Sequence, residues 1–206
     1  MILIVDYDMG NVGAIRNMLM RVGARDVVLS ADPTDCTRAD KIILPGVGAF
    51  DVAMRNLNER GFVPALAAAV RQRGVPLLGI CLGMQLLAAG SEEGELPGLG
   101  LVPGHVKRFD PEVGGRRIRI PHMGWNAVES TRRHSLFVTD ADELRFYFVH
   151  SYHFVCDTPE YVIGQTEYGS RFTSAVACGN VAGVQFHPEK SHRFGMRLLS
   201  NFAGTA

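Results

Sequence analysis

The sequence lacks the features that mark several classes of protein. Its 206 residues contain only four cysteines (Cys36, Cys81, Cys156 and Cys178) and no C-x-x-C pair, which argues against a zinc site or a disulfide framework. The formal net charge is zero, which disfavours a nucleic-acid surface. No apolar window approaches the roughly 18 residues of a membrane span, and the N-terminus lacks the basic region of a signal peptide. We therefore expect a soluble, cytoplasmic protein.

Apolar sequence, by contrast, is plentiful. Hydrophobic residues make up 47% of the chain, enough for a core without a metal or disulfide, and the length predicts a single domain over residues 1–206. In the first 90 residues, short apolar runs alternate with helical patterns, which indicates a parallel sheet with helices on both faces. The predicted strands are 2–5, 27–29, 41–44 and 75–80, and the predicted helices are 12–22, 51–58, 62–72 and 82–89.

The pattern changes after Gly90. Residues 91–104 are rich in Gly, Glu and Pro and predict a long loop. Residues 106–109 and 117–120 alternate polar and apolar side chains, as half-exposed antiparallel strands do. Further strands are predicted at 144–149, 161–166, 172–177 and 181–186, and a final helix at 191–202. The predicted fold class is therefore α/β, with a mostly parallel central sheet to which the second half of the chain adds antiparallel strands.

Cys81 lies at the junction of a predicted strand and a predicted helix. The segment Gly79-Ile80-Cys81-Leu82-Gly83 has the layout of a nucleophile elbow, with cysteine in place of serine. Glycine is needed on both sides because a Cβ in so tight a turn would collide with neighbouring backbone. A thiol at a helix N-terminus is favoured as the thiolate by the helix dipole. The alternative is that Cys81 is a small buried hydrophobe, as most free cysteines are.

A cysteine nucleophile needs a base, and one of the seven histidines is placed to supply it. His187 ends a predicted buried strand and is followed by Pro188 and Glu189. The proline favours an extended His187, and side chains two residues apart in an extended chain point the same way, so Glu189 is expected beside the imidazole. The carboxylate would fix the tautomer and stabilise the imidazolium. The alternative is a His-Pro turn at a strand end with a solvated glutamate.

Acyl chemistry also requires donors for an oxyanion. The backbone N–H of Leu82, the residue after the nucleophile, is one by the geometry of an elbow. The segment Gly46-Val47-Gly48 is the second candidate, because ligands bind at the carboxyl ends of parallel strands. Gln85, one turn along the elbow helix, and Glu93, in the loop beyond it, are expected to contact an amino-acid substrate.

Three motifs together resemble those of a known family. Residues 78–85 (LGICLGMQ), 44–48 (LPGVG) and 186–189 (FHPE) are similar to the motifs of the class I, or triad, glutamine amidotransferases. The resemblance implies a flavodoxin-like fold and hydrolysis of glutamine to glutamate and ammonia. It implies Cys81, His187 and Glu189 as the catalytic triad, with no metal or organic cofactor.

Further stretches resemble one member of that family, the glutaminase subunit of imidazole glycerol phosphate synthase. They are residues 6–11, 121–126, 147–152 and 187–191. The resemblance implies a heterodimer with a (β/α)₈ barrel cyclase, which uses the ammonia in histidine biosynthesis. It also implies substrate contacts from the backbone of His150, Ser151 and Tyr152. Around the mouth of the site, the residues predicted to face the cyclase are Asn11, Trp125, Tyr147 and Lys190.

Two residues depart from the family pattern, and three alternatives remain. Asp8 stands where glycine is usual, and His192 where glutamine is common.

A glutaminase of anthranilate, GMP or pyridoxal phosphate synthesis would keep the chemistry and change the acceptor. A flavodoxin-like cysteine peptidase would not place its histidine in a terminal His-Pro-Glu. A non-catalytic stress protein with a redox-sensitive elbow cysteine would need neither Glu189 nor Gln85.

Overall fold

The structure is a computed structural model that describes residues 1–139 and 143–204. In that part of the chain the strands are β1 (Ile2–Val5), β2 (Val27–Ser30), β3 (Lys41–Gly46), β4 (Leu77–Cys81), β5 (Gly104–Arg108), β6 (Glu112–Val113), β7 (Arg116–Arg117), β8 (His122–Ser130), β9 (Leu144–His150), β10 (Tyr152–Cys156), β11 (Val162–Tyr168), β12 (Ser170–Cys178) and β13 (Val181–Val184). The helices are α1 (Val12–Arg21), α2 (Phe50–Glu59), α3 (Phe62–Ala67), α4 (Leu82–Gln85) and α5 (His192–Ala203), and a π-helical turn, Ala68–Gln72, continues α3. None of these helices has the length and apolar content to cross a bilayer.

Five strands form the parallel part of the sheet, in the order β2-β1-β3-β4-β13. This is the strand order of flavodoxin-like folds, in which ligands bind at the carboxyl ends of the strands. The predicted fold class is therefore confirmed. Because β3, β4 and β13 are neighbours, their carboxyl ends bring the segments that begin at Gly46, Cys81 and Gln185 to one edge of the sheet.

The core lies on both faces of the parallel strands. Successive residues of a strand point to opposite faces. Leu3 of β1 accordingly belongs to the cluster that contains Phe62 of α3, whereas Ile4 belongs to the cluster that contains Ile15 of α1 and Leu198 of α5. All five side chains are fully or almost fully buried. Burying each stabilises the fold by roughly 1.5–3 kcal/mol relative to leaving it exposed, which holds the strand ends in place beneath the site.

Antiparallel strands extend the sheet beyond β13. Strands β12, β11, β8 and β9 follow in that order, and β10 pairs with both β12 and β5. The register of β8 and β9 places His122 opposite His150 and Trp125 opposite Tyr147. The strands β8 and β10 had not been predicted, because the glycine in residues 121–126 and the polar residues around 152 mask the alternation of side chains.

Three predicted elements are wrong in extent. The strand predicted over 181–186 ends at Val184, so Gln185 and Phe186 lie beyond it. The helix predicted over 82–89 ends at Gln85, because the carbonyl groups of Leu86 and Ala89 accept hydrogen bonds from the backbone of residues 98–99 at 2.8 and 2.9 Å instead of continuing a helix. The strand predicted over 117–120 is reduced to Arg116–Arg117, paired only with β6. Ile118 and Ile120 leave the strand and pack against the core.

Asp8 occupies a left-handed backbone position, with φ of 65°. Glycine adopts this conformation without steric cost, and aspartate tolerates it better than most residues do. The carboxylate of Asp8 forms an ion pair with Arg60 at the end of α2, and its backbone N–H donates to Asp6 at 3.3 Å. Local hydrogen bonding and the ion pair thus accommodate a side chain where the family usually has glycine.

Candidate active site

Cys81 lies on a strained turn between β4 and α4. It has φ of 54° and ψ of −111°, in a region that residues with a side chain rarely adopt, and its side chain is buried. A Cβ on Gly79 would lie 2.6 Å from the Gly83 carbonyl oxygen, and one on Gly83 would lie 1.8 Å from the carbonyl oxygen of Leu44. The expectation that glycine is required on both sides of Cys81 is therefore confirmed. Strain of this kind is typical of functional sites.

His187 and Glu189 lie beside each other at the carboxyl end of β13. Nδ1 of His187 is 2.8 Å from Oε1 of Glu189, and both side chains are almost completely buried. Nε2 of His187 is buried and has no hydrogen-bond partner among the described residues. Burial lowers the pKa of His187, but the Cys81 sulfur and the Glu189 carboxylate outweigh it and raise the pKa to about 9. The imidazole is thus poised to take a proton from the thiol.

The backbone around His187 is fixed by a serine in the same motif. The hydroxyl of Ser191 donates to the His187 carbonyl at 2.6 Å and accepts from the Tyr147 N–H at 3.0 Å. The N–H of His187 donates in turn to the Tyr147 carbonyl at 2.9 Å. These bonds join the end of β13 to β9, so that the histidine is held by two strands rather than by a free loop.

A cleft of about 480 Å³ opens over Cys81 and His187. Of its described lining residues, only Val149 had not been predicted as a site residue; the others are Val47, Gly48, Cys81, Leu82, Gln85, Glu93, His150, Ser151, Tyr152, His187 and Lys190. A larger groove, about 1010 Å³, lies between β9 and α5 and contains none of the predicted triad among its described lining residues. The smaller cleft is the candidate active site because it alone of the two contains the thiol and the imidazole.

Gly46, at the end of β3, lies directly against the elbow. It is in register with Cys81, and a Cβ on Gly46 would lie 2.8 Å from the side chain of Leu82 and from the Tyr7 hydroxyl. Tyr7 donates to the Pro45 carbonyl at 2.6 Å, and burial, with the nearby Cys81 charge, raises the pKa of its phenol. The tyrosine, for which the sequence predicts no role of its own, therefore stays protonated and anchors the start of the predicted oxyanion segment.

Two predicted substrate residues already have partners within the protein. Nε2 of Gln85 donates to the Tyr152 carbonyl at 2.9 Å and to Oε1 of Gln185 at 3.1 Å. Oε2 of Glu93 accepts from the N–H of Phe50 at 3.0 Å, at the N-terminus of α2. Burial raises the pKa of Glu93, while that hydrogen bond lowers it. Both side chains are thereby held in fixed orientations at the wall of the cleft.

A chain of buried histidines supports the same wall. Nδ1 of His150 donates to the Tyr152 carbonyl at 2.7 Å, since a carbonyl can only accept. Nε2 of His150 then accepts from Nδ1 of His122 at 3.0 Å, and Nε2 of His122 accepts from the amide of Asn126 at 3.2 Å. Burial lowers the pKa of His150 to about 3 and that of His122 to about 4, so both rings are neutral at pH 7.

Three of the four residues predicted to face a partner form one cluster at the rim. The Trp125 and Tyr147 rings meet edge to face at 6.4 Å, and Nζ of Lys190 lies 6.0 Å from the centre of the Tyr147 ring. His192 stacks on Trp125 with ring centres 5.6 Å apart. Asn11 is exposed at the start of α1. His192, noted above only as a departure from the pattern, thus belongs to the cluster.

The comparison with known families agrees with this geometry. The model of the family described as glutamine amidotransferase class-I matches residues 3–205. The chain belongs to this family. As a class-I glutamine amidotransferase it is an enzyme with glutaminase chemistry, and the predicted family is confirmed.

Similar proteins cover nearly the whole length of this amidotransferase. Imidazole glycerol phosphate synthase subunit HisH 2 of Methanococcus maripaludis is 48% identical over 202 residues, with 98% of each chain covered. Subunit HisH of Bdellovibrio bacteriovorus is 51% identical over 203 residues, with 98% of this chain and 99% of that one covered. A solved glutamine amidotransferase matches with a TM-score of 0.75 at 19% identity, with 98% of each chain covered, and agrees in fold.

Proposed function

We propose that this amidotransferase, as a single domain over residues 1–206, is the glutaminase subunit of an imidazole glycerol phosphate synthase. The observation that carries the proposal is a cleft lined by the Cys81 thiol and the His187 imidazole, with the buried Glu189 carboxylate 2.8 Å from Nδ1 of that imidazole. Relatives of this name, about half identical over nearly full length, support this acceptor over those of anthranilate, GMP or pyridoxal phosphate synthesis.

In the first half of the reaction, Cys81 is the nucleophile. His187 takes the thiol proton, and the thiolate attacks the side-chain amide carbon of glutamine, whose carbonyl oxygen becomes the oxyanion. The backbone N–H of Leu82 and the segment Gly46-Val47-Gly48 stabilise that oxygen. The imidazolium protonates the amide nitrogen, the C–N bond breaks, and ammonia leaves a γ-glutamyl thioester on Cys81.

In the second half, water releases glutamate. His187, neutral again, removes a proton from water as it attacks the thioester carbon. The tetrahedral intermediate collapses, the C–S bond breaks, and the cysteine regains its proton from the imidazolium. Glu189 holds Nδ1 of His187 throughout, which fixes the tautomer and stabilises the positive charge in both halves.

The far wall of the cleft would hold the amino-acid end of glutamine. The amide nitrogen of Gln85 is already used by the protein, so its oxygen is the atom that would accept from the substrate ammonium group. The Glu93 carboxylate supplies negative charge for the same group. Backbone groups of His150, Ser151 and Tyr152 would bind the substrate carboxylate. Their distance from Cys81 would select a substrate side chain of the length of glutamine.

The rim cluster is proposed as the docking face for the cyclase. Trp125 is 41% exposed although it is a large apolar side chain, and Lys190 lines the cleft with its Nζ beside the Tyr147 ring. Aromatic residues are enriched in the centres of protein interfaces. Together with Asn11 and Tyr147, this face would seal against the (β/α)₈ barrel, so that ammonia passes to the cyclase in a heterodimer without release to water.

The proposal is tested by reconstitution with a cyclase subunit of an imidazole glycerol phosphate synthase. We expect glutamine-dependent formation of imidazole glycerol phosphate from the phosphoribosyl substrate of the cyclase. Lys190→Ala should weaken the association or uncouple glutamine use from product by about tenfold, and Lys107→Ala, at an exposed site on β5, should not. Activity with an anthranilate or GMP synthase partner, and none with the cyclase, would contradict the assignment.

Glu189→Gln is expected to lower kcat by about 10³- to 10⁴-fold, because the amide keeps a contact to Nδ1 but offers no charge to the imidazolium. The same loss of charge lowers the pKa of His187 from about 9. Because the imidazolium must protonate the leaving ammonia, the rate falls above that pKa, and the alkaline limb of the pH–rate profile should move to lower pH. Initial rates of glutamate formation between pH 6 and 10 measure both effects. Glu59→Gln, the same change on the exposed end of α2, is the control, and an unmoved alkaline limb would exclude Glu189 as the partner of His187.

A further inference from the structure

We propose that Gln185 is a positioning residue for the nucleophile. Its side-chain N–H forms a weak hydrogen bond to the sulfur of the resting Cys81 thiol and a strong one to the thiolate. The inference rests on the proposed function in taking Cys81 as the nucleophile. Gln185 is completely buried between β13 and His187, and its backbone N–H donates to the Ser174 carbonyl at 2.9 Å. Its side chain is directed to the elbow, where Nε2 lies 3.9 Å from Sγ of Cys81.

The orientation of the Gln185 amide follows from its neighbours. The Tyr152 carbonyl can only accept, so the nitrogen of Gln85 must face it. That nitrogen donates its other hydrogen to Gln185, which must therefore present its oxygen. The nitrogen of Gln185 is left facing Cys81. The glutamine thus presents a donor to the sulfur, and the alternative orientation would place two amide N–H groups against each other.

Besides His187, the Val149 carbonyl and the Gln185 amide lie near the sulfur, and they suit different protonation states. The Val149 carbonyl, 4.0 Å from Sγ, can accept from the thiol but cannot stabilise a thiolate. The Gln185 N–H can stabilise the thiolate and gains strength when the sulfur is charged, since hydrogen bonds to charged groups are shorter and stronger. A separation of 3.9 Å in the resting enzyme is expected to shorten when His187 removes the proton, as catalytic hydrogen bonds do on reaching the reactive state.

The side-chain amide of Gln185 is held in its orientation before the thiolate forms, so it need not rotate when charge develops on the sulfur. The amide is fixed through Gln85 and the Tyr152 carbonyl, which the His150 ring holds from the other side at 2.7 Å. A dipole already oriented toward the site where charge develops stabilises that charge more than water does. The same network contacts the proposed substrate residue Gln85, so that the sulfur and the substrate wall are held by one set of hydrogen bonds.

The test uses two variants that keep the volume of the side chain. Gln185→Met removes both polar atoms, and Gln185→Glu keeps an acceptor for Gln85 but places an oxygen against the sulfur. We measure the rate of Cys81 alkylation by iodoacetamide against pH, by mass spectrometry of the Cys81 peptide, so that the other three cysteines do not contribute. Gln72→Glu, at an exposed position on the turn after α3, is the matched control.

We expect the midpoint of the alkylation profile to move to higher pH by about one unit in Gln185→Met and further in Gln185→Glu, with no shift in Gln72→Glu. In the complex with the cyclase, kcat should fall about 10- to 100-fold while KM changes less than about threefold, the range for one lost charge-assisted hydrogen bond. A merely structural glutamine would not order the two variants by charge. Circular dichroism verifies that each variant is folded.

Midpoints equal to wild type in both folded variants would overturn the proposal, as would a loss confined to KM. Alkylation requires neither glutamine turnover nor a partner, so it tests Gln185 independently of the proposed function. A wild-type chain that hydrolyses no glutamine with the cyclase would contradict the proposed function instead.

Discussion

Cys81→Ala is expected to abolish glutamine hydrolysis, with a loss on the order of 10⁶ in kcat, because no other thiol replaces the nucleophile. Of the four cysteines, Cys81 lies on the elbow and in the cleft with His187, whereas burial raises the pKa of Cys36 to about 11 and also raises that of Cys156. Ammonium salts should still support the cyclase reaction in the variant complex, because ammonia supplied from outside bypasses the glutaminase step.

The measurement compares two product assays on the same complex, one started with glutamine and one with ammonium chloride. Cys156→Ala, which removes a half-buried thiol on β10, serves as the control and should retain both activities. A Cys81→Ala complex with full glutamine-dependent activity would exclude the thioester mechanism. A complex that loses both activities would show instead that the substitution disturbs the docking of the two subunits.

The parts of the site that are local in sequence were predictable. The glycines that flank Cys81 announce a tight turn because only glycine fits so close to backbone, and the two-residue spacing of His187 and Glu189 places both side chains on one side of an extended segment. Both expectations depend on geometry within five residues. The structure bears out the first at Gly79 and Gly83. It places Nδ1 of His187 2.8 Å from Oε1 of Glu189, although Pro188–Lys190 forms a 3₁₀ turn and only His187 is extended.

The parts that depend on pairing between distant segments were not predictable. Gln185 meets Gln85 and Cys81 only because β13, the last strand, inserts beside β4. The Tyr152 carbonyl lies at the site because β10 begins one residue after the end of β9 and pairs with β5 and β12. A single sequence contains no signal for either pairing, so the contacts of these residues could not be predicted.

The predicted length of α4 was wrong for a related reason. The apolar run from Leu82 to Ala89 has helical spacing, but the backbone after Gln85 finds better partners in the loop at residues 98–102. Four residues of helix carry a smaller dipole than the eight predicted, so the helix N-terminus contributes less to the thiolate than the sequence implied. We therefore expect the neighbouring groups, His187 and Gln185, to have the larger part in stabilising a thiolate at Cys81.

Gly83→Ala is expected to destabilise the fold by about 3–5 kcal/mol and to lower kcat at least about 10²-fold in whatever protein remains folded. The added Cβ would lie 1.8 Å from the Leu44 carbonyl oxygen and 3.2 Å from the carbonyl carbon of Pro45. Both are backbone atoms of β3, which is hydrogen-bonded to β1 and β4 and cannot rotate away as a side chain would. Relief requires the elbow to separate from β3, and that displaces Cys81 from the segment that begins at Gly46.

Gly13→Ala is the matched control, since a Cβ at that exposed position of α1 meets nothing within 4 Å. Alanine favours a helix over glycine, so this variant should gain about 0.5–1 kcal/mol and keep full activity. Urea unfolding followed by circular dichroism gives both changes in free energy, and glutamate formation in the complex gives kcat. A Gly83→Ala protein as stable and active as the Gly13→Ala protein would mean that β3 yields to the new methyl group, and the close contact between β3 and the elbow would then not be needed to hold Cys81 in its strained conformation.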